Sequence, residues 1–231
     1  AVRGVVRMKQ LLTRLRRRIR SLIQSKEERR HALVGPPRLW KMKRDFQIRF
    51  LSDMGLEPGH YLFEIGCGTL RGGIPLIQHL ENGHYFGVEV RERALAGGRK
   101  ELREAGLEEK NPTLLLSPDI SQLTINRRFD YIWAFSVLIH MNDKILSDTL
   151  DFVSRHLSED GFFYANVNIG YRREGNWQGF PVVARTLDFY SQACAMSGLV
   201  VSDLGPLKEF GHISNSESQD NQRMLKITKR T

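Results

Sequence analysis

Apolar positions follow a helical spacing in the first part of the chain and a strand-like spacing further on. Between residues 5 and 23 they recur every three or four positions, which predicts an amphipathic helix. Gly35-Pro36-Pro37 then interrupts the chain, and a second helix is predicted over 39–54, ending at Gly55. These patterns divide the chain into a basic amphipathic helix (1–34), a helical cap or linker (35–58) and one larger domain (59–231).

The larger domain alternates short buried-strand patterns with helical ones. Strands are predicted at 61–65, 85–90, 113–116, 130–135, 161–167, 199–204 and 222–228, and helices at 74–80, 91–105, 144–156 and 185–197. This alternation predicts an α/β fold with a parallel sheet and helices on both faces. No helix is predicted between the last two strands, so the last strand should run antiparallel. Residues 168–183 lack a period and are predicted to form an inserted loop.

The charge of +9 is concentrated at one end of the chain. Residues 1–44 carry 15 Lys and Arg and two acids, whereas residues 45–231 carry 20 basic and 24 acidic side chains. A nucleic acid bound across the whole body is therefore disfavoured. For the helix over 5–23 several roles stay open: packing on its own domain or on a second copy of the chain, lying on an anionic membrane surface, binding RNA, or serving as a mitochondrial presequence.

Composition narrows the class of protein further. The longest uncharged stretch, 189–202, has 14 residues and is too short to span a bilayer. Cys67 and Cys194 suit a reduced compartment, so a cytoplasmic location is expected, with peripheral attachment to a membrane as the alternative. No carboxylate triplet indicates a metal site, and none is expected.

The turn after the first predicted strand is the strongest chemical signal. It reads Glu64-Ile65-Gly66-Cys67-Gly68-Thr69-Leu70-Arg71-Gly72-Gly73, and in an open parallel sheet this first turn is the usual cofactor loop. A dinucleotide fingerprint would place its third glycine where Arg71 stands, and the Gly-Lys-Ser/Thr of a phosphate loop is absent.

The Glu64-x-Gly66-x-Gly68 pattern resembles the glycine loop of class I S-adenosylmethionine-dependent methyltransferases. Glu89 follows Gly68 by 21 residues, at the end of the second strand, where a carboxylate can accept hydrogen bonds from both ribose hydroxyls. Ser117-Pro118-Asp119-Ile120 after the third strand resembles the family's adenine-binding position, and residues 129–136 resemble its fourth motif. The resemblance implies a Rossmann-like fold with a seven-stranded, mostly parallel sheet. It also implies S-adenosylmethionine as cofactor and a cofactor site of Glu64, Gly66, Cys67, Gly68, Thr69, Arg71, Glu89, Val90, Asp119, Ile120, Phe135 and Ser136.

Catalytic candidates follow from the chemistry of methyl transfer. A hydroxyl acceptor needs a base as its proton leaves, and in the small-molecule branch of the family a histidine often follows the fourth motif. His140 is therefore predicted to be the base or an acceptor-positioning residue, with His212 as the alternative. Arg71 is predicted to face the carboxylate of the cofactor or an acidic acceptor. Trp40, with Lys43 and Gln47, could cap the cofactor, and Trp177 and Phe180 lie where the family builds acceptor lids.

The predicted activity is methyl transfer to oxygen or nitrogen of a small-molecule or glycan-type acceptor. The glycine loop, taken with Gln222-Arg223-Met224-Leu225, loosely resembles bacterial methyltransferases associated with glycans or natural products. Residues 133–136 lack Asn/Asp-Pro-Pro-Tyr/Phe, which disfavours planar amide or adenine nitrogens. The alternatives are an RNA methyltransferase that uses the basic N-terminal arm, and a non-catalytic cofactor-binding scaffold.

Overall fold

The computed structural model describes residues 25–170 and 175–230. The helix predicted over residues 5–23 lies outside the described residues. Within the described part, no helix combines the length and the apolar character needed to cross a membrane.

Seven strands form one mixed sheet, in the order β3-β2-β1-β4-β5-β9-β8. Strand β9 lies between β5 and β8 and runs antiparallel to both, while the other neighbouring strands pair in parallel. The predicted Rossmann-like fold with an antiparallel last strand is therefore confirmed. The strands are β1 (Leu62–Ile65), β2 (Tyr85–Glu89), β3 (Thr113–Leu116), β4 (Phe129–Ala134), β5 (Leu157–Val167), β8 (Leu199–Pro206) and β9 (Arg223–Lys229).

Helices cover both faces of the sheet and precede it. They are α1 (Lys26–His31), α2 (Trp40–Asp53), α3 (Gly73–His79), α4 (Glu92–Glu104), α5 (Asp143–His156), α6 (Leu187–Met196) and α7 (Glu217–Asp220). Two details differ from the sequence prediction. The connection from β8 to β9 contains a 3-10 turn and the four-residue helix α7, and the loop predicted over 168–183 contains a short hairpin of β6 (Gly175–Trp177) and β7 (Phe180–Val182).

Successive side chains of the buried strands point alternately into two apolar layers, one on each face of the sheet. On one face Phe63 and Phe163 pack with Phe152 of α5, and α6 contributes to the same layer. On the other face α2 packs through Phe46 and Phe50, together with side chains of α3 and α4. Burying phenylalanine removes a large apolar area from water, so these rings hold α2 against the sheet. As a result the first turns of α2 lie beside the carboxyl ends of the strands.

Residues 25–36, here called the N-terminal strap, are fixed to the body of the domain. Ser25 and Glu28 form a reciprocal capping box that starts α1. At the end of α1, Arg30 Nε donates to Glu101 Oε1 of α4 over 2.8 Å, and the ring of His31 stacks on Trp40 at 3.6 Å. These contacts bring the end of the strap to the carboxyl edge of the sheet.

Candidate functional site

A cavity of about 1140 Å³ opens at the carboxyl ends of strands β1, β2 and β4. The turn after β1 forms its floor, and the strap residues Val34, Gly35 and Pro36 border it on one side. The β6–β7 hairpin contributes Trp177 and Phe180 on another side. Ligand pockets commonly measure about 300–1,000 Å³, so this cavity has room for a cofactor and a second small molecule together.

The glycine turn has a backbone shape that other residues resist. Gly66 and Gly68 have φ angles of +71° and +59°, and the backbone N–H groups of Gly66 and Cys67 both donate to the carbonyl of Val88. A Cβ on Gly68 would lie 2.7 Å from Cγ1 of Val34. Glycine is required here for conformation and for the close approach of the strap.

Glu89, at the end of β2, uses one of its two carboxylate oxygens in hydrogen bonds. Its Oε1 accepts from the backbone N–H groups of Val90 and Arg91, at 3.1 and 2.9 Å, and from Nε of Arg91 at 3.1 Å. No described donor bonds to Oε2, and the side chain is only 3% exposed. A buried carboxylate oxygen of this kind is a strong acceptor for hydroxyl groups of a ligand.

Charged groups gather at the end of the cavity between β1 and α2. Burial raises the pKa of Glu64 to about 7, although Oε2 of Glu64 accepts a hydrogen bond from the Tyr85 hydroxyl. Burial and the neighbouring Arg71 lower the pKa of Lys43 to about 7, and burial lowers the pKa of Arg71 to about 10. Arg71 Nη1 donates to the carbonyl of Val34 over 3.0 Å, while its buried Nε has no partner within residues 25–170 and 175–230. These unmatched groups suit a ligand that carries both an ammonium and a carboxylate.

A chain of buried amides supports the end of β4. Ser136 has φ +61°, and its N–H donates to Oδ1 of Asn166 over 2.6 Å. Asn166 in turn donates to Gln222, and Gln222 donates to Asn168, at 2.7 and 3.0 Å. Buried polar networks that are satisfied in this way rigidify their surroundings. The network holds Phe135 and Ser136 at the cavity wall.

His140 lies on the cavity wall in the 3-10 turn that follows β4. Its Nδ1 lies 2.8 Å from the carbonyl oxygen of Pro181. Because a carbonyl can only accept, Nδ1 carries the proton and Nε2 keeps a lone pair. Burial is the main cause that lowers the pKa of His140, and the ring stacks on Trp177 at 5.2 Å. The ring is therefore a neutral, oriented proton acceptor.

Most of the residues predicted from the sequence meet at this cavity. The members of its wall are Glu64, Gly66, Cys67, Gly68, Arg71, Glu89, Val90, Ile120, Phe135, Ser136, His140, Trp177 and Phe180. Lys43 and Gln47, the other two residues suggested as a cap, also line it. These residues line one cavity at the carboxyl ends of strands β1, β2, β3 and β4.

Four predicted residues lie elsewhere. Thr69 is fully buried and packs beside Gly97 of α4. The carboxylate of Asp119 accepts from both the N–H and the hydroxyl of Ser121, at 2.9 and 2.7 Å, which turns it into a cap of the next 3-10 turn. Trp40 is outside the cavity wall because it stacks on His31 of the strap.

His212, the alternative base, is the fourth of these residues. It is 1% exposed and packs against Phe46 and Phe135, and its Nδ1 bonds to Oδ1 of Asp220 at 2.9 Å. It is absent from the cavity wall, so its ring is placed to hold Asp220 and the aromatic layer rather than to touch a ligand.

Two further parts of the chain contribute to the site and were not predicted from the sequence. One is the strap, whose start carries a readable signal in the Ser25-x-x-Glu28 capping box. The other is Arg91, which lines the cavity and contacts Glu89. Among the described residues, no group of three His, Cys, Asp or Glu side chains could hold a metal ion.

Comparison with known proteins adds to this geometry. A family model described as a methyltransferase domain matches residues 63–163. No curated protein sequence matches the chain.

Solved structures share the fold. One is an S-adenosylmethionine-dependent methyltransferase from Clostridium acetobutylicum ATCC 824, with 18% identity over 83% of this chain and 92% of that chain and a TM-score of 0.61. Magnesium protoporphyrin IX methyltransferase from Synechocystis PCC 6803, with bound SAM, has 17% identity over 83% and 79% and a TM-score of 0.62. The glycopeptide N-methyltransferase MtfA complexed with S-adenosylmethionine has 17% identity over 79% and 92% and a TM-score of 0.61.

Proposed function

We propose that the chain is a class I S-adenosylmethionine-dependent methyltransferase that transfers the cofactor's methyl group to oxygen or nitrogen of a small-molecule or glycan-type acceptor. The match of residues 63–163 to a methyltransferase-domain model and the fold shared with solved methyltransferases support this assignment. One observation carries the proposal. The free oxygen of Glu89 and the neutral ring of His140 line the same cavity, which has room for two ligands.

The residues of the cavity fit this cofactor. Glu89 Oε2 is available to the ribose hydroxyls, and Val90 and Ile120 offer apolar contacts for adenine. The buried Nε of Arg71 lacks a partner and suits the carboxylate of the methionine portion, while Glu64 suits its ammonium. The matches at Glu89, Arg71 and Glu64 are charge-assisted hydrogen bonds, the strongest kind available to such a ligand.

His140 is the residue that would remove the acceptor proton. The bound sulfonium supplies an electrophilic methyl group with its own driving force. The protein must therefore align the acceptor, exclude water and accept a proton. The carbonyl of Pro181 fixes the tautomer of His140, so its Nε2 can take the proton of a hydroxyl as the oxygen–methyl bond forms. We expect oxygen acceptors to depend on this step more than amines that arrive neutral.

The second half of the cavity supports a small or glycan-type acceptor. Trp177 and Phe180 provide aromatic faces, and Asn168, Asn176 and Gln222 provide amides near them. Aromatic faces pack on rings, and amides donate to and accept from hydroxyl groups. The hairpin and strap border the space on two sides, which favours a compact acceptor over a long polymer.

Calorimetric titration tests the cofactor assignment. We expect S-adenosylhomocysteine to bind more tightly than NADH, because Arg71 replaces the third glycine of a dinucleotide fingerprint. Tighter binding of NADH would overturn the assignment. Transfer of labelled methyl from S-adenosylmethionine to a panel of sugars, phenols and amines then identifies the acceptor. A protein that binds the cofactor and methylates none of these classes would contradict the proposed acceptor.

A further inference from the structure

Arg91 directly supports the carboxylate proposed to bind ribose. Its backbone N–H and its Nε both donate to Oε1 of Glu89. Together with the N–H of Val90 they occupy Oε1 fully and leave Oε2 for a ligand. The Glu89 side chain is 3% exposed and that of Arg91 26% exposed. The pair is thus partly removed from water, where charge-assisted hydrogen bonds are stronger.

The same guanidinium contacts both elements that border the cavity. Nη1 donates to the carbonyl of Leu33 in the strap over 2.8 Å, and to Oε1 of Gln178 at the hairpin tip over 3.4 Å. The guanidinium carbon lies 5.7 Å from the ring centre of Trp177 and 5.8 Å from that of Phe180. Cations over aromatic faces at this range are attracted by the ring. The Arg91 side chain therefore contacts Glu89, the strap, and the side of the cavity formed by Trp177 and Phe180.

The strap and the hairpin also contact each other beside Arg91. Nε2 of Gln178 donates to the carbonyl of Ala32 over 3.4 Å. All these partners are held by Arg91 or lie next to it, so a change in the orientation of its guanidinium alters both borders of the cavity at once.

We propose that Arg91 is a positioning residue that couples cofactor binding to the arrangement of the acceptor wall, an inference that rests on the proposed function. Ribose hydroxyls that donate to Oε2 fix the Glu89 carboxylate. A fixed carboxylate holds the Arg91 guanidinium, which then holds Trp177 and the strap. By linkage, an acceptor that packs on Trp177 strengthens cofactor binding by the same factor by which the cofactor strengthens acceptor binding.

The experiment uses the full chain with Arg91→Ala, Arg91→Lys and the matched control Arg99→Ala. Arg99 lies in α4, which Arg91 directly precedes, and it also donates to a backbone carbonyl, that of Leu114 at 2.9 Å, but it does not line the cavity. The probe is S-adenosylhomocysteine, titrated by calorimetry and by tryptophan emission. Trp40, which stacks on His31 of the strap, and Trp177 of the hairpin are each replaced by Phe, so that the signal lost relative to wild type separates these two residues from each other and from Trp133.

We expect Arg91→Ala to weaken S-adenosylhomocysteine binding by about 10-fold, because it loses the charge-assisted bond from Nε to Glu89 while the backbone bond remains. It should also abolish the emission change that the ligand causes at Trp177 and at Trp40. Arg91→Lys should keep part of the affinity, since its ammonium can still pair with Glu89. It should lose the emission response, because an ammonium lacks the planar fork that reaches several partners. Arg99→Ala should behave as the wild type.

Wild-type affinity and wild-type emission changes in both Arg91 variants would overturn the coupling and leave the proposed function intact. A wild-type protein that fails to bind S-adenosylhomocysteine would overturn both. Thermal melting of each variant identifies unfolding, and Arg91→Lys, which retains the charge, keeps the test decisive if Arg91→Ala does not fold.

Discussion

At the scale of single residues, we propose that Glu89 determines how tightly the cofactor binds. Glu89→Gln keeps the size of the side chain but removes the charge that strengthens bonds from the ribose hydroxyls. We expect S-adenosylhomocysteine affinity to fall by about 10-fold or more in calorimetry. Glu109→Gln, on an exposed 3-10 turn away from the cavity, is the matched control. Equal affinity in Glu89→Gln and wild type would show that this carboxylate does not bind ribose.

His140 is proposed to act in the chemical step rather than in cofactor binding. Replacing it with glutamine should lower kcat on a hydroxyl acceptor by roughly 100-fold or more while cofactor affinity changes little, since general bases contribute about 10²–10⁴-fold. His156→Gln is the matched control. The Nδ1 of His156 lies 3.2 Å from the carbonyl oxygen of Arg127, and burial also lowers the pKa of His156. His156 is nevertheless absent from the cavity wall. Normal turnover in His140→Gln would indicate an acceptor that needs no base.

The pH dependence of catalysis follows from the same ring. A base works in its neutral form, and burial lowers the pKa of His140 below its usual 6.5. The neutral form therefore persists to lower pH than in an ordinary histidine. We expect kcat to fall as the pH drops through a value below 6.5 and to stay level above it. A pH–rate profile of wild type checks this, and the acid limb should be absent from the residual activity of His140→Gln.

At the scale of elements, the glycine turn and the strap fit together through Gly68. Gly68→Ala places a methyl group 2.7 Å from Val34 Cγ1 at φ +59°, so we expect the strap to shift and S-adenosylhomocysteine binding to weaken by about 10-fold. Gly106→Ala is the control, because φ there is +65° and nothing lies within 4 Å. Both variants should melt at lower temperature, as strain in the left-handed region costs roughly 1–2 kcal/mol. Only the clash at Gly68 should be relieved by adding Val34→Ala. If that second substitution restores no affinity, the strap does not govern binding.

Some of these elements could be predicted from the sequence and others could not. The strands of the sheet and the helices around it were predictable because their apolar patterns extend over enough residues to be recognised. The position of the candidate site was predictable because, in an open parallel sheet, ligands bind at the carboxyl ends of the strands. The hairpin was missed because strands of three residues are too short to show alternation. The strap was missed as a part of the site because Arg30 and its partner Glu101 are 71 residues apart. Asp119 follows β3 as expected, but the local bonds to Ser121 decide where its carboxylate points.

At the scale of the whole molecule, residues 1–44 are strongly basic, whereas residues 45–231 carry 20 basic and 24 acidic side chains. Residues 25–34 belong to the strap that borders the cavity, so a deletion that tests the segment should stop at residue 24. We expect the full chain to bind vesicles of anionic lipid and the 1–24 deletion to lose this binding, because each cation near such a surface contributes about 1 kcal/mol. S-adenosylhomocysteine affinity should survive the deletion. Vesicle sedimentation and calorimetry measure the two effects.

A larger deletion separates the strap from the segment before it. Removing residues 1–34 also removes the carbonyls of Leu33 and Val34 that accept from Arg91 and Arg71, so this variant should lose cofactor affinity as well. If neither full chain nor deletion binds vesicles and the 1–24 deletion halves the mass in solution, the segment is a contact between copies and the membrane prediction is wrong.

The position of β9 has a consequence for how the chain reaches this shape. Strand β9 is made last among the seven yet pairs with β5 on one side and β8 on the other. Until residues 223–229 have left the ribosome, β8 has no partner and the edge of β5 is open. Gln222, which completes the amide chain behind Ser136, arrives at the same moment. The nascent domain therefore exposes unpaired strand edges until synthesis passes this point, a stage at which aggregation competes with folding.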